Sequence, residues 1–180
     1  MAGLALDTTS LLGSATVRRY KLDNGLKLIA LIDRGAPIVA YQTWFGVGSS
    51  NEVPGATGLA HLFEHLMFSR TEATQAGEFD RLVEGIGGDS NAATWVDWTY
   101  YRLTLPAAQL PLAVRLESER MSRLVLDAET VETERSVVMN ERRERVEDDV
   151  DGWMDETMMS QLFTRHPYHW PTIGWMRDIK

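Results

Sequence analysis

Thr57-Gly58-Leu59-Ala60-His61-Leu62-Phe63-Glu64-His65-Leu66-Met67-Phe68 is the stretch from which the rest of the chain can be read. Apart from Gly58 its residues favour a helix, and Thr57 is the predicted N-cap. At about 100° per residue, His65 lies about 40° around that helix from His61 and one turn further along. Imidazoles at this spacing can reach one metal ion, as paired histidines do in helical zinc sites. Glu64 flanks the same face, about 60° to the other side of His61. It can touch a metal-held water without being a ligand itself. A helical histidine is more often a structural hydrogen-bonding residue, and short motifs match by chance. Here two of only four histidines share a face with a carboxylate between them, which favours a metal site.

Upstream, Val17 to Leu22 and Leu26 to Ile32 flank Asn24-Gly25, a hairpin signal because that pair supplies positive φ angles. Ile38 to Phe45 reads as a third strand, and a Gly/Ser-rich loop, 46–55, leads into the histidine helix. Downstream, Thr74 is expected to cap a helix from Gln75 to Ile86, ended by Gly87-Gly88. Ser90 to Trp95 and Thr99 to Leu105 read as strands, followed by helices over Ala107 to Arg123 and Ala128 to about Val146, the latter capped by Asp127. Gly152 is expected to break the chain before a helix from Trp153 to Phe163. Helices interleaved with hairpins predict an α+β fold: a sandwich with a mostly antiparallel sheet and helices packed on it.

The 180 residues are 44% hydrophobic and 24% charged, which fits one globular domain, expected over residues 17–180. A net charge of −8 argues against nucleic acid, whose phosphates call for clustered Lys and Arg. With no cysteine, any metal must rest on His and carboxylate ligands. No apolar run is long enough to span a membrane. The first 14 residues contain no Lys or Arg and do not resemble a signal peptide. They are read as a flexible arm, residues 1–16, and the location as cytoplasmic. The acidic run from Glu144 to Glu156 reads as a solvated helix face interrupted by Val146, Val150, Trp153 and Met154.

A zinc hydrolase needs a third protein ligand and an open position for water. Glu129, Glu132, Glu134, Glu141, Glu144 and Glu147 on the last long helix are all candidates, and position alone does not choose among them. Glu134 and Glu141, two turns apart, share a face with Val138.

The block from Gly58 to Phe68 resembles the inverted zinc motif of the pitrilysin-type metallopeptidases, the inverzincins. The likeness extends to Tyr20-x-Leu22-x-Asn24-Gly25-Leu26, Gly48-Ser49-x-x-Glu52, Gly87-Gly88-x-x-Asn91-Ala92-x-Thr94-x-x-Asp97-x-Thr99-x-Tyr101, Glu134-Arg135-x-Val137-Val138-x-x-Glu141 and His166-Pro167-Tyr168. It implies a zinc-dependent endopeptidase with one Zn²⁺ per chain. His61, His65 and Glu141 would be the ligands and Glu64 the general base. Glu134 would support catalysis without being a required ligand. Asn91 and Ala92 would lie where a peptide substrate adds as an extra strand. The resemblance further implies a homologous second half or partner subunit that completes the active site, so the chain by itself is expected to cleave peptides poorly. Two other readings compete: a non-catalytic subunit or scaffold of the same family, and a non-haem Fe(II) enzyme, whose facial triad also uses two His and a carboxylate. The second has no use for Glu64 beside the metal.

Overall fold

Gly25 takes the positive φ, 89°, that the Asn24-Gly25 turn requires. The hairpin it closes consists of β2 (Ala15–Lys21) and β3 (Lys27–Ile32). Asn24 Oδ1 accepts from the Leu26 N–H at 3.1 Å and stiffens the turn locally. The computed structural model describes residues 4–11 and 15–180, and in it β1 (Leu4–Leu11) pairs antiparallel with β2. The flexible arm expected over residues 1–16 is therefore corrected at Leu4–Leu11 and at the first residues of β2. Ladder pairing there satisfies backbone groups that a free arm would leave to water. The remainder of that expectation, residues 1–3 and 12–14, lies outside the described residues. This three-stranded sheet, order β1-β2-β3, belongs to one compact unit, Met1–Pro37.

The second unit, Ile38–Lys180, carries the candidate site. Its elements are β4 (Ile38–Phe45), α1 (Leu59–Leu66), α2 (Glu78–Gly85), β5 (Asp89–Thr94), β6 (Thr99–Pro106), α3 (Leu110–Arg123), α4 (Ala128–Arg142), α5 (Val150–Leu162) and α6 (Met176–Ile179). The sheet order is β4-β6-β5 with antiparallel pairing throughout, so the fold is α+β as expected, and β5 is an edge. β6 alternates with period two: Tyr101, Leu103 and Leu105 are buried. Leu103 and Leu105 meet Phe79 and Val83 of α2 and Ala113 and Leu116 of α3.

A charged pair is buried in this core. Arg120 bonds Glu117 one turn back on α3, and Thr43 Oγ1 of β4 donates to Glu117 Oε2 at 2.7 Å. The guanidinium carbon lies 5.4, 5.0 and 4.4 Å from the ring centres of Phe68, Phe79 and Tyr101, so three aromatic faces replace the water it has lost. Removing one member strands the other in a dry site. Arg120→Ala is therefore expected to cost about 3–5 kcal/mol, read from urea unfolding at a fixed zinc concentration. A loss below about 1 kcal/mol would mean that Glu117 finds water or another partner.

Helix ends depart from the sequence reading for local reasons. Thr74 does not cap a helix at Gln75, because its N–H and Oγ1 bond Thr71 Oγ1 at 3.0 and 2.8 Å, and α2 starts only at Glu78. The helix expected from Ala107 opens as a 3₁₀ turn, Ala107–Gln109, before α3. The one expected to reach Val146 is α-helical to Arg142 and then becomes a π-helical turn, Arg143–Glu147. Gly152 does not break the chain: it lies inside α5, which Asp149 caps by accepting from the Gly152 N–H at 2.9 Å. Within the acidic run, Val150, Trp153 and Met154 are exposed along with most of the acids, whereas Glu156 is half-buried against Arg142. Among the described residues no helix is long and apolar enough to cross a membrane.

Candidate metal centre

α1 is fixed at its start by neighbours distant in sequence. Thr57 is not its N-cap: Thr57 Oγ1 donates to Asp178 at 2.7 Å and accepts from the Trp175 N–H at 2.9 Å. The cap position is Gly58, at φ 91°, and the free N–H groups of Gly58 and Ala60 both donate to Glu52, at 2.8 Å each. A carboxylate there also suits the positive end of the helix dipole. A Cβ on Gly58 would lie 2.6 Å from the Ile173 carbonyl oxygen, so only glycine lets the helix start seat against that backbone.

α1 packs against β5 on one side and α4 on another. α4 begins at Asp127, whose side chain accepts from the Thr130 N–H at 2.8 Å. That bond, with the adjacent Arg70 guanidinium, lowers the Asp127 pKa to about 2. The cap's contribution is complete above the ordinary carboxylate range and is lost as pH falls through about 2.

Two turns of α1 and the last turn of α4 bring His61, His65 and Glu141 together, with one ligand atom from each lying within 4.8 Å of the others. Glu141 Oε2 is 3.6 Å from His61 Nε2 and 3.2 Å from His65 Nε2. Two ligands of a tetrahedral zinc ion at about 2.0–2.1 Å sit about 3.4 Å apart, so these separations suit one ion. Glu141 Oε2 is buried without a hydrogen-bond donor, which is how an oxygen reserved for a cation presents itself. Burial lowers the His61 pKa to about 4, partly offset by Glu141, and so keeps its lone pair available. His65 moves the other way because the Glu141 carboxylate, 3.2 Å from its Nε2, favours the charged ring, and the ring lowers Glu141 in turn. A metal would supply the positive charge that this carboxylate faces. The donor set fits zinc: two imidazoles and a carboxylate, with no thiolate.

The other sequence candidates fall around this cluster. Glu134, two turns back on α4, places Oε2 3.6 Å from His65 Nδ1, the ring nitrogen turned away from Glu141. Glu64 points to β5, where Thr94 Oγ1 donates to its Oε2 at 2.6 Å. Burial raises the Glu64 pKa, and the Thr94 bond partly offsets this. Asn91 and Ala92 lie on the edge strand β5, and Asn91 Oδ1 accepts from the Ala92 N–H at 2.8 Å. Thr94 as a partner of Glu64 and Arg145 as a partner of Glu141 were not foreseen from the sequence. Arg145 was legible as the i+4 neighbour of Glu141, whereas the Glu64–Thr94 contact depends on tertiary packing.

An apolar cavity of about 510 Å³ opens on the opposite face of α1, lined by Leu59, Phe63 and Met67 with Phe45, Tyr101 and Met121. It contains none of the proposed ligands.

Comparison with known proteins shows the family and the fold. The insulinase family, peptidase family M16, matches residues 28–174. The chain is 37% identical over 160 residues to the zinc protease PqqE of Helicobacter pylori, covering 88% of this chain and 36% of that protein. It superposes on the crystal structure of a protease from Helicobacter pylori with a TM-score of 0.88 at 36% identity, over 91% of this chain and 39% of the other. The peptidase M16 inactive domain from Pseudomonas fluorescens shares the fold, with a TM-score of 0.81 at 19% identity, over 91% of this chain and 40% of the other. The chain thus spans well under half the length of these relatives, and a relative's name associates the family with zinc and proteolysis. The chain belongs to the insulinase family, peptidase family M16.

Proposed function

We propose that this chain carries the catalytic centre of a zinc-dependent endopeptidase, with one Zn²⁺ held by His61, His65 and Glu141 and with Glu64 as general base. The observation that supports it most is Glu141 Oε2, buried without a donor and facing both histidines. The fold is shared with an inactive domain, so the reading rests on these side chains and not on the architecture.

Zinc at this position would lower the pKa of a bound water to about 7 and polarise the scissile carbonyl. The protein's own part is acid–base and positional. Glu64 accepts the water's proton and passes it to the leaving amine nitrogen. Burial raises the Glu64 pKa, which makes it a better base. Thr94 holds one carboxylate oxygen and leaves the other for the proton. Glu134 steadies His65 from the side away from Glu141. Two neutral imidazoles and one carboxylate leave a zinc site with net charge +1.

The substrate in this reading is a peptide or an unfolded segment laid along β5, whose outer edge has no partner strand among the described residues. Asn91 caps the Ala92 N–H until an added strand supplies a carbonyl in its place. Ala92→Pro removes that donor, and the loss of one hydrogen bond is expected to weaken a non-hydrolysed peptide about tenfold while zinc affinity stays unchanged. Fluorescence anisotropy with a labelled peptide reads this. An unchanged affinity in a folded variant would move the substrate groove off β5.

We also propose that a homologous second half, in cis or on a partner subunit, completes the site, since the chain covers 36% of the PqqE relative. The experiment is cleavage of an internally quenched peptide by the complete protein, before and after chelation and zinc repletion. Cleavage lost on chelation and restored by zinc is expected. Cleavage indifferent to chelation, or none with zinc loaded, would contradict the proposal.

A further inference from the structure

The two oxygens of Glu141 have different surroundings. Oε2 faces His61 and His65, while Oε1 lies 3.1 Å from Arg145 Nε. Arg145 stands in the π-helical turn that follows α4, marked by the Asp148 N–H donating to the Arg143 carbonyl at 2.8 Å, five residues back.

That turn is clamped from behind. The first turn of α5 lies so close that a Cβ on Gly152 would be 1.9 Å from the Arg145 carbonyl oxygen and 3.2 Å from Val146 Cα. Asp149 secures that turn of α5 through the Gly152 N–H. Arg142, the last residue of α4, is buried and grips Glu156 of α5 through two bonds, at 2.7 and 3.1 Å. The backbone that carries Arg145 is thus held by α5, although the Arg145 side chain is 75% exposed.

Resting on the metal-centre reading above, we propose that Arg145 is a positioning residue for the Glu141 carboxylate, and that the π turn locked by Gly152 sets it. By occupying Oε1, Arg145 leaves Oε2 as the oxygen that faces the two histidines and would hold the metal. Oriented carboxylate ligands are commonly held this way, and losing such a partner typically costs 10–100-fold in metal affinity. The opposing effect is repulsion between the guanidinium and a dication, which exposure to solvent screens. The two effects predict opposite signs.

The test is zinc titration of the complete protein against a competing chelator. Arg145→Ala is expected to bind zinc about tenfold more weakly. Arg145→Gln, which keeps a donor without the charge, is expected to recover part of that loss. Gly152→Ala, which touches no ligand, is expected to weaken zinc by displacing the turn. The unfolding midpoint of the metal-free Arg145→Ala protein should match the parent, since the side chain covers little. Glu141→Gln runs in parallel: if it binds zinc like the parent, the ligand assignment itself has failed. If Glu141→Gln weakens zinc while Arg145→Ala leaves it unchanged or tightens it, the positioning role is overturned and the ligand assignment stands.

Discussion

Glu64→Gln is expected to hold zinc as the parent does and to hydrolyse peptide about 10²–10⁴-fold more slowly, the usual contribution of a positioned acid–base group. The amide keeps the shape of the carboxylate and can still meet Thr94, so α1 and β5 stay as they are. What it loses is the ability to take a proton from water and return it to the amine. The pair of readings is what counts: zinc content by metal analysis and turnover of a quenched peptide by the complete protein. A variant that turned over normally, free of contaminating protease, would remove Glu64 from the mechanism. A variant that lost zinc as well would make Glu64 a ligand, against its orientation towards Thr94.

Glu141→Gln is expected to weaken zinc by more than about 100-fold, beyond the 10–100-fold that follows loss of an outer partner. It removes the only carboxylate from the proposed three-ligand set and gives Arg145 a neutral neighbour. Glu144→Gln and Glu147→Gln, in the π turn, should leave zinc affinity within about twofold, since surface charges contribute little. The same chelator competition reads all three. Parental zinc affinity in the Glu141 variant would place the distal ligand elsewhere.

That His61, Glu64 and His65 lie side by side on one helix was legible because a single helix carries them, and helical spacing is fixed by local geometry. The strands β4 and β6 and the Asn24-Gly25 turn were legible because they too are set by local sequence. Glu141 was not legible from periodicity, since six glutamates on one charged stretch satisfy the same pattern, and it stood out only through family resemblance. The structure distinguishes it by tertiary contact: of those six, Glu141 faces both imidazoles and Glu134 faces only the far side of one. Helix ends failed where a side chain had a better partner than the backbone. Thr57 and Thr74 both look like N-caps, yet one bonds Asp178, 121 residues away, and the other bonds Thr71. Gly152 illustrates a further limit. In sequence it reads as a breaker, whereas its function in the fold is to let two backbones touch.

The central claim is that His61, His65 and Glu141 together hold one zinc ion. X-ray absorption at the zinc edge on the chain loaded with one equivalent tests it most directly. The account predicts two imidazole nitrogens at about 2.0–2.1 Å and oxygen ligands at about 2.0–2.2 Å, with one imidazole lost in His61→Ala and one in His65→Ala. A spectrum without imidazole scattering, or one that neither substitution changes, would contradict it.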